Sequence, residues 1–190
     1  NIQLEDKSSN QKKIVNGINE LSVFNSKLIT KYRFEHNLLS FQSENSKLTN
    51  NKINHSGKIN FNPFDLSINI NLEKIKLKKL FNKNIFLYEF LKSGLLFNEN
   101  LSLNTSIKSK NILNTKFFNS LKINFNIKNG KININKSYFL SDKIGLLKLD
   151  NSRIFLQNND LKFISSFYFD MNNINNFFVF FQNQKKIRKP

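Results

Sequence analysis

Residues 64–72 alternate without a fault: Phe64, Leu66, Ile68, Ile70 and Leu72 are apolar, and Asp65, Ser67, Asn69 and Asn71 are polar. Successive side chains of a strand point to opposite faces, so this run is a ribbon with one oily and one wet surface. No other short element fits it as well. The same rhythm returns at 101–107, 121–127 and 161–169, which makes the oily side one extended surface. What covers that surface is the functional question.

Around this ribbon the chain reads as more strands. Residues 53–61 lead into it through Pro63, which has no amide donor and so marks a strand-to-strand corner or kink. Gly57 predicts a bulge or a close backbone approach. Residues 1–19 are polar and broken, a frayed strand or connecting loop. Residues 28–35 alternate, His36-Asn37 turns the chain, and 38–43 return. Asn129-Gly130 between alternating runs is a strong hairpin signal, with 131–140 as the partner strand. Residues 143–149, 153–157 and 161–169 complete a run of antiparallel strands joined by Asn/Asp turns.

Two stretches change period. Leu77, Leu80, Phe81, Tyr88 and Leu91 recur at helical steps, predicting one helix or two short ones over 78–93, stopped by Gly94. Ile174, Phe177, Phe178 and Phe181 mark a second short helix over 172–182, with Asn172 or Asn173 as N-cap. The outline is a mainly β meander without helical crossovers. It can close as a sandwich or barrel, or stay open as a curved sheet.

Composition narrows the function classes. The formal charge is +17, yet Arg occurs only at Arg33, Arg153 and Arg188, the rest of the 30 basic residues being Lys. Arg is the side chain best suited to bidentate phosphate and guanine contacts, so the charge reads as a solvated Lys/Asn face or an attraction to anionic lipid. An abundance of Asn, Lys, Ile and Phe without Ala also matches AT-rich codons. The absence of Cys excludes disulfides and thiol chemistry. His36 and His55 lie among polar residues without a carboxylate at ligand spacing and read as surface residues, so no metal and no cofactor is expected. Beyond Glu5-Asp6 the acids are scattered singly, the glycines stand alone, and no serine has a nucleophile-elbow context. The chain reads as a non-enzyme. Its longest apolar run, 177–181, falls far short of the roughly 20 residues that a spanning helix needs. An opening Asn and a trailing KKIRKP read as the cut ends of a longer protein.

Residues 56–81, with Gly57, a strand, Pro63-Phe64, an alternating strand and a helix, resemble the unit of the AsmA-like family of bacterial envelope proteins (the TamB and YhdP type, related in design to bridge-like lipid-transfer proteins). The hairpin at Asn129-Gly130, the strand 161–169 and the helix with Phe-Phe-Gln strengthen the likeness. The whole chain, 1–190, then reads as one segment of a larger β-groove protein, with 51–190 as the AsmA-like region and 1–50 as generic strands. The resemblance implies an elongated, twisted antiparallel sheet forming an open groove or half-barrel, with one or two short helices. It implies a periplasmic location, tethered through an inner-membrane anchor outside this segment. It also implies phospholipid acyl chains as the partner, conducted or shielded between inner and outer membranes, with no nucleic acid. The expected groove lining is Leu66, Ile68, Ile70, Leu72, Leu101, Leu103, Leu121, Ile123, Phe125, Ile127, Phe167 and Phe169; the alternative for each is ordinary sandwich core. Rival readings of the chain are a binding β-sandwich, an outer-membrane-associated module, and a charge-driven nucleic-acid binder.

Overall fold

Thirteen strands form one mixed sheet in a computed structural model that describes residues 2–6, 14–49, 51–77, 91–115, 117–158 and 160–183. At one edge β1 (Ile2–Asp6) pairs with β2 (Ile14–Val23). An antiparallel meander follows through β3 (Ser26–Glu35), β4 (Leu38–Ser43), β6 (Asn51–Phe61) and β7 (Phe64–Lys76), with the short β5 (Lys47–Leu48) continuing the line of β4. A second meander runs through β8 (Leu103–Leu113), β9 (Ser120–Lys128), β12 (Gly145–Gln157) and β13 (Asp160–Met171). Its third line is shared by β10 (Lys131–Asn133) and β11 (Ser137–Ser141). The edge strands β1 and β13 do not pair with each other, so the sheet is open.

One joint departs from the antiparallel expectation. β7 and β8 are parallel, Leu66 opposite Leu103 and Ile70 opposite Ile107. Parallel neighbours require a crossover rather than a tight turn, and residues 77–102 supply it. Most of the helix predicted over 78–93 lies outside the described residues. Leu77 and Leu91-Lys92 are helical, and Gly94 (φ 80°) opens a 3-10 turn, Leu95–Phe97. The helix predicted over 172–182 is α1 (Ile174–Asn183), and Asn173 caps it by accepting the Asn176 N–H at 3.0 Å.

Turn chemistry sets the registers. Asn62-Pro63 is the two-residue turn of a hairpin whose last pair is Phe61 opposite Phe64. Asn129 and Gly130 both adopt positive φ, 51° and 65°, as a tight hairpin of this kind demands. The strands read separately at 143–149 and 153–157 are one strand, β12, with a register shift between Asp150 and Arg153. Conversely, 131–140 is two strands, broken at 134–136.

That break reveals a repeat. The first meander, β2 to β7, and the second, β8 to β13, follow one plan of five lines, and in each the third line is interrupted. Between β4 and β5 the register against β3 slips by one residue: Thr30 faces Ser43, but Lys27 faces Lys47. Between β10 and β11 the register against β9 slips by one residue in the same sense: Asn126 faces Asn133, but Lys122 faces Tyr138. A buried serine mends each break. Ser46 Oγ accepts the Ile29 N–H and donates to the Ile29 carbonyl, both at 2.9 Å. Ser137 Oγ accepts the Asn124 N–H at 2.9 Å and reaches the Asn124 carbonyl at 3.4 Å. Because β7 and β8 are parallel, the second unit is the first shifted sideways without reversal.

Candidate functional site

Register places two unlike rows side by side across the second half of the sheet. One runs Leu72, Ser109, Leu121, Phe139, Leu147, Phe169 from β7 to β13. The next, one residue along each strand, runs Asn71, Lys108, Lys122, Tyr138, Lys148, Tyr168. In the first half the row Tyr32, Phe41, Gly57, Ile68 continues through Thr105 to Phe125 on the same face as Leu72. Followed from Val15 in β2 to Phe169 in β13, the paired positions of this face carry no Asp, Glu, Lys or Arg apart from Lys74 and Lys76, which keep the phase of Leu72 at the far end of the parallel joint. The other lysines of the ladders stand on the opposite side. The sheet thus separates its charge from its apolar surface by face, which period-2 patterning dictates once the register is fixed.

Eleven of the twelve expected lining residues stand on the uncharged face. Leu101 precedes β8 and belongs to a packed cluster instead. Protein covers part of the surface in the second unit. Leu96, from the 3-10 turn, packs with Ile127 and Ile132 and is joined by Leu91, Phe97, Leu101, Leu103 and Phe125. Beside it Ile75, Ile112 and Leu121 form a second cluster with Leu72, Ile123 and Phe139. Ile127 and Leu121, 0% and 2% exposed, are therefore enclosed by protein. Leu66, Ile68 and Ile70 lie outside both clusters, and Phe167 is 60% exposed. Phe169 meets the α1 ring of Phe177, centroids 5.5 Å apart. The connection and the terminal helix each lie against the uncharged face of the second unit, whereas the first unit has no such lid among the described residues.

The first unit's face is shaped by two aromatic rings over two glycines. A Cβ on Gly17 would fall 2.4 Å from the Tyr32 ring, and one on Gly57 would fall 2.5 Å from the Phe41 ring and 2.3 Å from the Ser67 carbonyl. Gly57 is thus a close approach, and the ladder passes it without a bulge.

A polar row crosses this apolar field, and the sequence reading missed it. Asn19 faces Thr30, Thr30 faces Ser43, and the Ser43 hydroxyl accepts the His55 N–H at 2.8 Å. His55 Nε2 lies 2.8 Å from Thr30 Oγ1. His55 was expected at the surface; it is half-buried, opposite Ile70, and burial lowers its pKa below the ordinary histidine value. The signal was available, because His55 shares its phase with Ile53 and Ile59 rather than with Asn54 and Lys58.

The opposite face is polar and basic. A depression of about 440 Å³ is lined there by Asn16, Ile18, Lys31, Arg33, Ser40 and Gln42, with Gly17, Tyr32 and Phe41 also bordering it. Lys31 is paired with Glu44 and Arg33 with Glu35, each at 2.8 Å, so both cations already have partners. Among the described residues no three His, Cys, Asp or Glu side chains come together as a metal site, and no helix is long and apolar enough to cross a membrane. No family model, curated protein or solved structure matches the chain.

Proposed function

We propose that the chain is a lipid-handling sheet of the AsmA-like type, which shields or conducts acyl chains along its uncharged face. One observation carries this reading: an apolar face continues across both five-line units and the parallel joint, and among the described residues every strand belongs to a single sheet, with no second sheet to cover it. An apolar sheet face left to water is unfavourable, and contiguous exposed patches of several hundred Å² usually mark an interaction site. Acyl chains match it chemically, since each methylene removed from water contributes about 0.8 kcal/mol. A lining of aliphatic and phenyl groups holds such chains without fixing their position. The back of the sheet, rich in Lys and Asn, keeps the assembly hydrated.

This reading places the protein in a bacterial envelope, between two membranes. The test is lipid co-purification and photo-crosslinking with an acyl-labelled phospholipid. The wild-type chain is expected to carry lipid, and the triple variant Ile68→Asp/Ile123→Asp/Phe125→Asp to lose it while keeping its β-sheet circular dichroism. A wild-type chain that neither retains nor crosslinks lipid overturns the proposal.

A further inference from the structure

The repeat gives the free edge of β13 a defined partner. In the first unit the last line is β7, and its outer edge receives β8, the first line of the next unit, in parallel. In the second unit the last line is β13, which pairs only with β12. Its outer edge is left without a strand among the described residues. An unpaired edge presents a row of amide and carbonyl groups ready for another strand. The first line of the first unit, β2, is the counterpart of β8. We infer that β13 of one chain accepts β2 of a second copy in parallel, so that copies add head to tail and extend the sheet.

The two serine-mended breaks fix the register of that contact. Aligning Ile29 with Asn124 and Ser46 with Ser137 makes Leu72 the counterpart of Phe167 and Ser109 the counterpart of Val23. Leu72 and Ser109 are opposed in the internal joint, so Phe167 meets Val23 of the second copy. One step back on the other face, Asn71 and Lys108 are opposed, so Ser166 meets Ser22. The edge residues suit this contact. Phe167, Leu21 and Val23 are apolar and about half exposed or more, and all three stand on the uncharged face. Their exposure is relieved when the two edges meet.

β1 limits the reaction. It lies antiparallel on Val15 to Asn19 and leaves Leu21, Ser22 and Val23 free. The shared ladder would run over residues 17–23, so β1 overlaps it only at residues 17–19 and acts as a partial guard of the edge. Such a contact is heterologous, with different surfaces on the two partners, and it does not close on itself unless a rotation closes a ring.

The chain contains no cysteine, so an introduced pair reports this contact without background. Neighbouring strands bring Cα atoms within disulfide range. Under mild oxidation the double variant Ser22→Cys/Ser166→Cys is expected to give a ladder of crosslinked dimers, trimers and higher species. An equimolar mixture of the two single variants is expected to stop at the mixed dimer, and removal of residues 1–13 to raise crosslinking several-fold. Moving one cysteine out of register, as in Asn19→Cys/Ser166→Cys, should lower the yield at least several-fold. If the double variant shows sheet circular dichroism and gives no ladder, or if yield ignores register, the head-to-tail contact is wrong. Sedimentation of the wild-type chain gives an independent reading: self-association that rises with concentration supports the contact, and a strict monomer at every concentration overturns it. Neither measurement depends on whether the face binds lipid.

Discussion

The hydroxyl of Ser46 takes both backbone hydrogen bonds of Ile29, standing in for a strand residue where the third line of the first unit breaks. The Ile29 carbonyl has a second donor in the Glu44 N–H at 2.9 Å, whereas the acceptor of the Ile29 N–H is the Ser46 hydroxyl. Ser46→Ala should therefore leave a half-buried amide without this partner, at a cost of about 1–3 kcal/mol. Ser137→Ala is expected to cost less, because its second contact is longer. Urea midpoints of the two variants check both; equal and negligible shifts would show that the serines are incidental to the breaks.

Gly57 is a second point of tight tolerance. A methyl group there meets the Ser67 carbonyl on one side and the Phe41 ring on the other. The ring can rotate away; the paired strand cannot. Gly57→Ala should destabilise by about 1–3 kcal/mol, the range for overpacking. At Gly17 only the Tyr32 side chain is in the way, so Gly17→Ala should cost clearly less. The order of the two thermal midpoints is the measurement.

The two units differ in how their apolar faces are covered. Ile132 is fully enclosed between Ile127 and the connection residue Leu96. Ile132→Ala should cost about 2–5 kcal/mol, as for a core truncation. Ile68, half-buried and outside both clusters, should lose clearly less than Ile132 on the same change in the lipid-free protein, since less apolar area is returned to water there. In lipid-loaded protein the Ile68 penalty should grow while that of Ile132 stays fixed. Chemical unfolding with and without lipid tests this directly.

His55 links stability to pH. Burial holds its folded-state pKa below the ordinary histidine value, so the unfolded chain binds the proton more tightly. The stabilisation is complete above the ordinary value and is lost as pH falls through it toward the lowered one. The neighbours on its face, Thr30, Ser43, Phe41 and Ile70, carry no charge to offset a proton. The urea midpoint should fall between pH 7.5 and 5.5 in the wild type and stay flatter in His55→Gln. Parallel pH profiles for the two would locate the effect elsewhere.

Much of the sheet was legible because alternation is a local signal. Residues 64–72, 121–127 and 161–169 announced which side chains share a face, and the Asn129-Gly130 turn announced its own hairpin. The parallel joint was not legible: nothing in Leu66 or Leu103 says which edge the crossover returns to, because that depends on pairing across the whole connection. The serine-mended breaks were hidden for a related reason. Ser46 opens a turn-rich stretch of sequence and Ser137 looks like an outward polar residue of a strand, and only the slipped register turns both inward. His55 was misplaced because its polar neighbours in sequence, Asn54 and Ser56, belong to the opposite face; its neighbours in space are Thr30 and Ile70.

The separation of charge from apolar surface has a consequence for orientation. Lysines such as Lys108, Lys122 and Lys148 share one side of the sheet, so the molecule's field is lopsided across its thickness. Within a Debye length, about 8–10 Å at ordinary ionic strength, an anionic membrane attracts that side and not the other. On the lipid-handling reading proposed above, a sheet near such a surface would settle on its back, with its open side pointing away from the headgroups and its strand ends left as the route for an acyl chain.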